Sequence, residues 1–280
     1  RDRSLPLPAY TIDPAFMASK AEALGFNSIW YAEHPAVPVE STSPVPSTGG
    51  EIPWTYTHFT EPYIALARAS GVTKTIQLGT GITLVPQRHP MILAKEVAAL
   101  DFHSGGHFQF GIGTGWLREE VELFGGDFPK RWTQTLEALD AMKAVWTNDA
   151  AGFEGKYYNF PPVRVYPKPA QKPYPPIIIG GAAERVLQRI VDHADGWLPN
   201  RVTPEALEGH RAELDRLAEA AGRDPKAIRI IVYGQEPDAD LFAALFKAGA
   251  DEVVVRPKHV DTEAEMGTQL EAFAKLLIKG

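Results

Sequence analysis

The sequence predicts a (β/α)₈ barrel, formed by a single domain over residues 1–280. Strand-like and helix-like segments alternate along almost the whole chain, and the later strand segments are short and apolar on both faces. Eight such β-then-α units fit into 280 residues. A doubly wound open sheet is the alternative, and the lack of a GxGxxG motif after the first strand counts against it.

Capping and turn residues define the elements in order. Asp13 and Pro14 begin the first helix and Gly25 ends it, in the positions that these residue types favour. The predicted strands are Leu5 to Leu7, Phe26 to Tyr31, Thr75 to Thr80, Gly106 to Gly111, Pro175 to Ile179, Gly196 to Leu198, Ala227 to Tyr233 and Glu252 to Val255. The predicted helices are Asp13 to Leu24, Glu61 to Ser70, Met91 to Phe102, Trp116 to Phe124, Arg131 to Trp146, Ala183 to Ala194, Pro204 to Ala221, Ala239 to Lys247 and Glu263 to Lys279.

Two stretches interrupt this alternation. Ala36 to Thr57, after the second strand, is rich in Pro, Ser, Thr and Gly and longer than a connecting loop requires. Ala150 to Lys172, before the fifth strand, carries aromatics and prolines and is predicted to be a hairpin or an extended arm. Insertions of this kind often build a pocket or a lid near the active-site mouth, although a tolerated surface insertion is the other interpretation.

Composition excludes several classes of function. The chain has no cysteine, which excludes disulfides, thiolate catalysis and zinc–sulfur sites, and a soluble cytoplasmic protein is the default expectation. A net charge of −7 without a basic cluster argues against a nucleic-acid partner, and the absence of a long apolar run argues against a membrane span. His103 and His107 do not form an HExxH motif, so no metal site is predicted.

Glu33 and His34 directly follow the second predicted strand. That position lies at the carboxyl end of a barrel strand, where catalytic residues collect, and histidine can move a proton near neutral pH. A histidine that only satisfies a loop carbonyl is the equally available structural interpretation. The pair is therefore our candidate catalytic pair.

The segment from Gly79 to Pro90 is an unusual strand-to-helix passage. Thr80, Gly81 and Ile82 end the third strand, and glycine there permits close approach to a ligand or a bulge that closes the barrel. Arg88 and His89 suit either an anion or an anchor for the following helix, and the anchor is the commoner use.

Two further glycine-rich strand ends are candidate cofactor contacts. Gly111, Gly113 and Gly115 alternate along the fourth strand and its end, and with Thr114 they present a face suited to a flat ring. Backbone N–H groups at a helix start bind phosphate, so the turn after the fifth strand is a candidate phosphate site. The residues of that turn are Gly180, Gly181 and Ala182, with Arg185 one turn into the predicted helix.

The order of these motifs resembles the luciferase-like monooxygenase superfamily, in its deazaflavin (coenzyme F420)-dependent oxidoreductase branch. The resemblance runs from about Tyr10 to Gly196, and the C-terminal third is generic. It rests on ALGFNSIWYAEH, LGTGITLVPQRHP, GIGTGWLREEVELFG, the segment from Phe128 to Trp146, FEGKYYNF, PKPAQKPYPPIIIGG and HADGW.

The resemblance implies a TIM barrel with a flavin or deazaflavin at the mouth. Glu33 and His34 match the family's acidic residue and histidine beside the ring, and this histidine is a candidate for proton transfer. Gly81–Ile82 matches a non-prolyl cis peptide whose bulge presses on the ring, and Gly180 to Ala182 match the phosphate-contacting turn. In the sugar-phosphate dehydrogenase branch, a glutamate stands where this chain has Trp116, so that branch's substrate does not carry over.

Three functions follow as hypotheses. The first is an F420-dependent oxidoreductase acting on a small, apolar substrate in a pocket that includes Trp54 and Trp116. The second is a reduced-FMN-dependent monooxygenase, and the third is a flavin-binding protein without turnover. Members of the family are often dimers, so a homodimer is an open expectation. Glu119 and Glu120 lie near the position of Trp116, and a solvated helix face is the structural interpretation of these two residues.

Overall fold

A parallel sheet curls almost into a closed barrel with helices packed around its outside. The computed structural model describes residues 12–45 and 49–278. The predicted barrel architecture is confirmed, with seven barrel strands within these ranges, while the predicted first strand, Leu5 to Leu7, lies outside them.

The strands and helices of the described ranges are numbered in chain order. The strands are β1 (Ser28–Tyr31), β2 (Gln77–Thr80), β3 (Thr83–Leu84), β4 (Phe108–Gly113), β5 (Ala151–Glu154), β6 (Asn159–Val163), β7 (Ile177–Gly180), β8 (Gly196–Leu198), β9 (Arg229–Gln235) and β10 (Glu252–Val255). The helices are α1 (Pro14–Leu24), α2 (Pro62–Ser70), α3 (Pro90–His103), α4 (Arg118–Leu123), α5 (Arg131–Thr147), α6 (Val186–His193), α7 (Pro204–Ala220), α8 (Ala239–Lys247) and α9 (Glu263–Leu277).

The barrel strands lie in the order β1-β2-β4-β7-β8-β9-β10, and β3 extends the sheet by pairing with β4. Every pair in this sheet is parallel. The carboxyl ends of the strands therefore meet at one end of the barrel, which we call the mouth.

Alternating side chains divide the apolar residues between two cores. Outward-facing residues such as Ile29, Phe110 and Ile177 pack against the helices in the main core. Inward-facing Trp30 and Ile178 belong to a second cluster inside the barrel. That cluster is completed by Leu198 and Ile231 and by the partly buried Ile82, Tyr233 and Val254. Burial on both faces explains why these strands are continuously apolar.

A polar network closes the other end of the barrel, across the seam between β10 and β1. Arg229 donates to Glu252 Oε2 at 2.9 Å and to Gln109 Oε1 at 3.2 Å. Glu252 accepts from the hydroxyl of Ser28, which in turn accepts from Trp30 Nε1 at 2.7 Å. Within the described residues, β1 and β10 are not paired through their backbones, and these side chains connect the two strands.

Five strands begin two residues later than predicted, namely β1, β2, β4, β7 and β9, and two of these differences have a clear local cause. The fourth predicted strand begins at Phe108 rather than Gly106, because Gly105 and Gly106 adopt φ values of +71° and +86° that no strand permits. The strand predicted from Ala227 begins at Arg229, because Pro225–Ala227 forms a 3₁₀ turn.

The two insertions have different structures. The later one contains the antiparallel hairpin β5–β6, and its tip lies along α5, where Glu137 accepts from three successive N–H groups, those of residues 156–158. The described contacts of the tip are with α5, Asp127 and His89 rather than with His34. Within its described residues, the earlier insertion holds the 3₁₀ turn Trp54–His58 and otherwise lacks helices and strands.

Candidate active site

His34 lies just beyond β1, at the mouth of the barrel. Its Nδ1 is 2.8 Å from Oε2 of Glu120 on α4. The Glu120 carboxylate is fully buried, and its other oxygen accepts from the backbone N–H of Ala36 at 3.2 Å. The imidazole is thus held in one orientation by a carboxylate that lies 86 residues further along the chain.

Three aromatic rings surround this imidazole. Tyr56 stacks on it at 4.9 Å between ring centroids, Phe59 lies at 6.0 Å, and Trp116 meets it edge-on at 5.8 Å. Tyr56 lies in the early insertion and Phe59 lies just after it. This insertion therefore contributes a side chain to the mouth. Only 7% of the His34 side chain is exposed to solvent within this cage of three aromatic rings.

The two predicted pocket tryptophans are separated. Trp116 belongs to the cage, whereas Trp54 packs at 5.3 Å from His58 and at 5.6 Å from His259, in the loop that follows β10. Trp54 is about half exposed. Its described contacts therefore place it at the rim rather than on the imidazole.

Glu33 occupies a different environment from its neighbour. Its carboxylate is buried and accepts from Leu84 N–H at 2.6 Å and from Arg88 Nε at 3.0 Å. Burial raises the pKa of Glu33, an effect that the Arg88 charge and the Leu84 N–H oppose. Burial also acts to lower the pKa of Arg88, but the Glu33 carboxylate outweighs it and holds that pKa above its usual value.

Arg88 joins the end of β1 to two helices. Besides Glu33, it contacts Glu61 at 2.6 Å and Glu96 at 3.1 Å. His89 accepts from Met91 N–H at 3.2 Å and caps α3. The passage that follows β3 therefore anchors the next helix, which is the role that the sequence analysis favoured for Arg88 and His89.

Ile82 forms an apolar platform inside the mouth, and the peptide bond Gly81–Ile82 is cis, as predicted. Bare glycines on two neighbouring strands make room for this side chain. A Cβ on Gly113 would collide with Ile82 Cδ1, and one on Gly180 would lie 2.7 Å from Ile82 Cγ2. The space in front of these glycines is filled by Ile82, so they support the platform from behind.

The threonines of this region are buried. Thr80 donates its hydroxyl to the carbonyl of Gly111 at 2.7 Å, which ties β2 to β4 just before the platform. Thr114 lies 7% exposed at the end of β4. Tyr233 on β9 packs against Gly81, and burial raises its pKa to about 12, so its hydroxyl keeps its proton at neutral pH.

The turn after β7 departs from the prediction in one respect. Helix α6 begins at Val186 rather than near Ala183, because Arg185 has a left-handed backbone with φ of +62° and acts as the N-cap residue. Arg185 is therefore not one turn inside the helix. Gly181, with φ of +91°, is exposed, and a Cβ there would meet no atom within 4 Å.

Three arginines lie around the helix starts on this side of the mouth. The Arg131 guanidinium lies 3.9 Å from the Phe128 ring centre, and that of Arg189 lies 4.6 Å from the Trp132 ring centre. Burial and the positive charges of Arg185 and Arg131 lower the pKa of Arg189. Among the described residues, none of the three arginines makes an ion pair with a carboxylate.

Glu119 fastens the early insertion to α4. Its carboxylate accepts from the backbone N–H of Thr42 at 2.7 Å and from the hydroxyls of Ser43 at 2.7 Å and Ser41 at 3.1 Å. The expectation that Glu119 and Glu120 form a solvated helix face is wrong, because one carboxylate binds this loop and the other is buried against His34.

These contacts predict a pH-dependent loop. The hydrogen bonds from Ser43 and Thr42 lower the pKa of Glu119 to about 2 from an ordinary value of 4.5. Because the folded pKa is depressed, the stabilisation is complete above about pH 4.5 and is lost as the pH falls towards 2. At neutral pH, Glu119→Gln should speed hydrogen exchange at the Thr42 amide, measured by mass spectrometry. The matched variant Glu122→Gln, whose partner is Arg118, should leave that exchange unchanged.

The described residues contain neither a metal-binding cluster nor a membrane-spanning helix. No group of three or more histidine or acidic side chains in residues 12–45 and 49–278 is placed to hold a metal ion. Within the same ranges, no helix has the length and apolar character needed to cross a membrane.

Residues 15–235 match the luciferase-like monooxygenase family, and the chain belongs to that family. The uncharacterised protein Rv0953c of Mycobacterium tuberculosis is 34% identical over 246 residues, which cover 87% of this chain and 86% of that protein. Two solved structures share the fold. One is the coenzyme F420-dependent tetrahydromethanopterin reductase of Methanopyrus kandleri, with a TM-score of 0.73, 20% identity, and coverage of 96% of this chain and 95% of the other.

The second solved structure is the oxygenating constituent of 3,6-diketocamphane monooxygenase from Pseudomonas putida, in complex with FMN. It has a TM-score of 0.74 and 17% identity over 95% of this chain and 92% of the other. At these identities, the likeness establishes the fold. Since one neighbour is F420-dependent and the other is in complex with FMN, a flavin-type cofactor fits the family.

Proposed function

We propose that the chain is a coenzyme F420-dependent oxidoreductase that transfers hydride between C5 of the deazaflavin and a small, apolar organic substrate. The observation that supports it most is His34, an imidazole at the mouth with one nitrogen on a buried carboxylate and the other without a hydrogen-bond partner among the described residues. A residue of this kind can take or return a proton while hydride moves.

The platform fits a flat redox ring. The residues of β4 and β7 that lie against Ile82 are the glycines Gly113 and Gly180. The side chain of Ile82 therefore forms the apolar wall at this place, the surface called the platform above. The hydrogen bond from Thr80 to the Gly111 carbonyl ties β2 to β4 directly before this wall. We assign the ring to the Ile82 surface.

The anionic end of the cofactor is assigned to the turn after β7. Gly181 and Ala182 are exposed there, with open space in front of Gly181. Arg185 and its neighbours Arg131 and Arg189 supply positive charge and make no ion pair with a described carboxylate, although the Glu184 charge partly offsets that of Arg189. Guanidinium groups bind phosphate and carboxylate well.

Side chains of the protein supply the proton transfer, the exclusion of water and the support of the platform. A bound deazaflavin supplies the carbon that gives or accepts hydride. His34 Nε2 accepts the proton that the substrate loses when hydride leaves it, or returns that proton in the opposite direction. Trp116, Tyr56 and Phe59 limit the access of water to the imidazole. Glu33 acts indirectly, since its contacts hold Leu84 and Arg88 beside the platform.

Side-by-side titration tests the choice of cofactor. Purified protein is titrated under anaerobic conditions with the deazaflavin and with FMN, oxidised and reduced, and binding is followed by fluorescence. We expect the deazaflavin to bind at least about tenfold more tightly, a difference of 1.4 kcal/mol. Tighter binding of reduced FMN, followed by oxygen uptake when air is admitted, would instead support the monooxygenase hypothesis.

Two glycine variants control this titration. Gly113→Leu places a side chain where Ile82 lies and should abolish binding. Gly209→Ala lies on α7 with no atom within 4 Å of the added Cβ and should leave binding unchanged. Absence of binding for both cofactors in the unsubstituted protein would refute the proposal.

A further inference from the structure

The contact between His34 and Glu120 restricts which ring nitrogen carries the proton. A carboxylate only accepts hydrogen bonds, so at 2.8 Å from Glu120 Oε2 the Nδ1 atom must donate an N–H. In the neutral imidazole, the lone pair then belongs to Nε2. No described residue forms a hydrogen bond with Nε2. Since Nε2 is not one of the fully buried polar atoms that lack a partner, it is not fully buried.

Glu120 is held so that it can impose this arrangement. Its side chain is 1% exposed, and its second oxygen accepts from Ala36 N–H at 3.2 Å. The flanking residues Leu117 and Val121 are fully buried, so this face of α4 is turned into the protein interior. The carboxylate therefore has little freedom to turn away from the imidazole.

We propose that Glu120 is the positioning residue of the active site, which fixes His34 as the Nδ1–H tautomer and leaves Nε2 as the proton acceptor. The inference rests on the proposed function for the use of that proton. The tautomer itself is a property of the chain and is measured without cofactor or substrate.

A purely structural role for Glu120 is the competing explanation. In that case the carboxylate only joins α4 to the loop after β1, through Ala36 N–H, and the imidazole tautomer does not depend on it. Carboxylates that orient metal-binding histidines are the closest precedent for the positioning role, and their loss costs about 10- to 100-fold in activity or affinity.

Nitrogen-15 spectroscopy of histidine-labelled protein tests the proposal. Long-range proton–nitrogen spectra are recorded at a pH at which the His34 imidazole is neutral and carries one N–H proton. The His34 signals are assigned by their loss in His34→Gln. We expect a protonated Nδ1 and an unprotonated Nε2. A protonated Nε2 in the unsubstituted protein would overturn the proposal, and this measurement needs no variant of Glu120.

The nearly isosteric variant Glu120→Gln separates the two explanations. It keeps an acceptor for Ala36 N–H but removes the charge that demands an Nδ1–H donor, so the His34 spectrum should change to the Nε2–H form or to a mixture. Glu119→Gln, on the adjacent residue, should leave the spectrum unchanged. An unchanged tautomer in folded Glu120→Gln, with folding checked by circular dichroism, would leave Glu120 a structural role only.

Once a substrate is known, the same variant has a kinetic signature. Glu120→Gln should lower kcat by about 10- to 100-fold and leave KM and cofactor affinity nearly unchanged. An equal loss in all three quantities would indicate a collapsed loop rather than a misoriented base. Failure of the cofactor titration would refute the proposed function without altering the tautomer result.

Discussion

Replacing His34 with alanine is expected to slow hydride transfer by about 10²- to 10⁴-fold, the usual contribution of a positioned acid or base. The variant removes the imidazole but leaves the Ile82 platform and the turn after β7 intact. Deazaflavin affinity should therefore stay within about threefold, a difference of less than 1 kcal/mol. Single-turnover absorbance of the deazaflavin, with any substrate that the unsubstituted protein accepts, measures the rate.

His103→Ala is the matched control for this experiment. His103 is the last residue of α3, at the opposite end of the barrel from the mouth, and its ring contacts Phe102. The control should retain its full rate. A His34→Ala protein with an unchanged rate would refute the proton-transfer role, and loss of cofactor binding would instead mean that the imidazole holds the ring.

Replacing Arg88 with methionine is expected to lower the free energy of unfolding by about 3–5 kcal/mol, the usual cost of breaking a buried ion pair from one side. The Glu33 side chain is 2% exposed, and without Arg88 its carboxylate would lie uncompensated between β1 and β3. Glu33→Gln should cost less, because the amide still accepts from Leu84 N–H and Arg88 keeps Glu61 and Glu96. Urea unfolding measures both variants.

Arg164→Met controls for the loss of an arginine. Its partner is Asp149, and both side chains are about two-thirds exposed or more, so the change should stay within about 1 kcal/mol. If Arg88→Met cost no more than this control, the network around Glu33 would not be what holds the passage from β1 to α3.

Local signals predicted most of the fold. The N-cap Asp13, Pro14 in the first turn and Gly25 in the left-handed region with φ of +91° bound α1 as expected. Thr203 and Pro204 begin α7 in the same way. These residues act through their own backbone, so a sequence displays them directly. The apolar strand Ile177–Gly180 is equally plain, since burial on both faces leaves no polar position.

Long-range contacts limited the prediction of the site. Glu119 and Glu120 stand in a charged run on a short helix, a pattern typical of a solvated surface, and their partners are Ser43 and His34, more than 70 residues away. The run LREEVEL does carry one usable signal, because Leu117 and Val121 flank Glu120 on the buried face at helical spacing. Tyr56 and Phe59 had no local signal beyond their place at the end of an insertion.

The glycines of the barrel have a different use from the one that their spacing suggested. Alternate glycines on β4 were expected to leave one face open to a flat ring. In the structure, a Cβ on Gly111 would collide with the carbonyl of Thr80, one on Gly113 with Ile82, and one on Gly79 with the Trp30 ring. The protein itself fills these spaces, and Ile82 occupies the one in front of Gly113. Spacing alone cannot tell which partner occupies the space that a missing side chain leaves.

We propose that a deazaflavin ring lies on Ile82 with His34 at its reacting edge. A crystal structure of the protein with bound cofactor would show this directly. We expect the ring against Ile82, its anionic end at Gly181 and Arg185, and His34 Nε2 within about 3.5 Å of the space where the substrate meets the ring. A ring bound away from the mouth, or at the mouth with its reacting edge turned from His34, would contradict it.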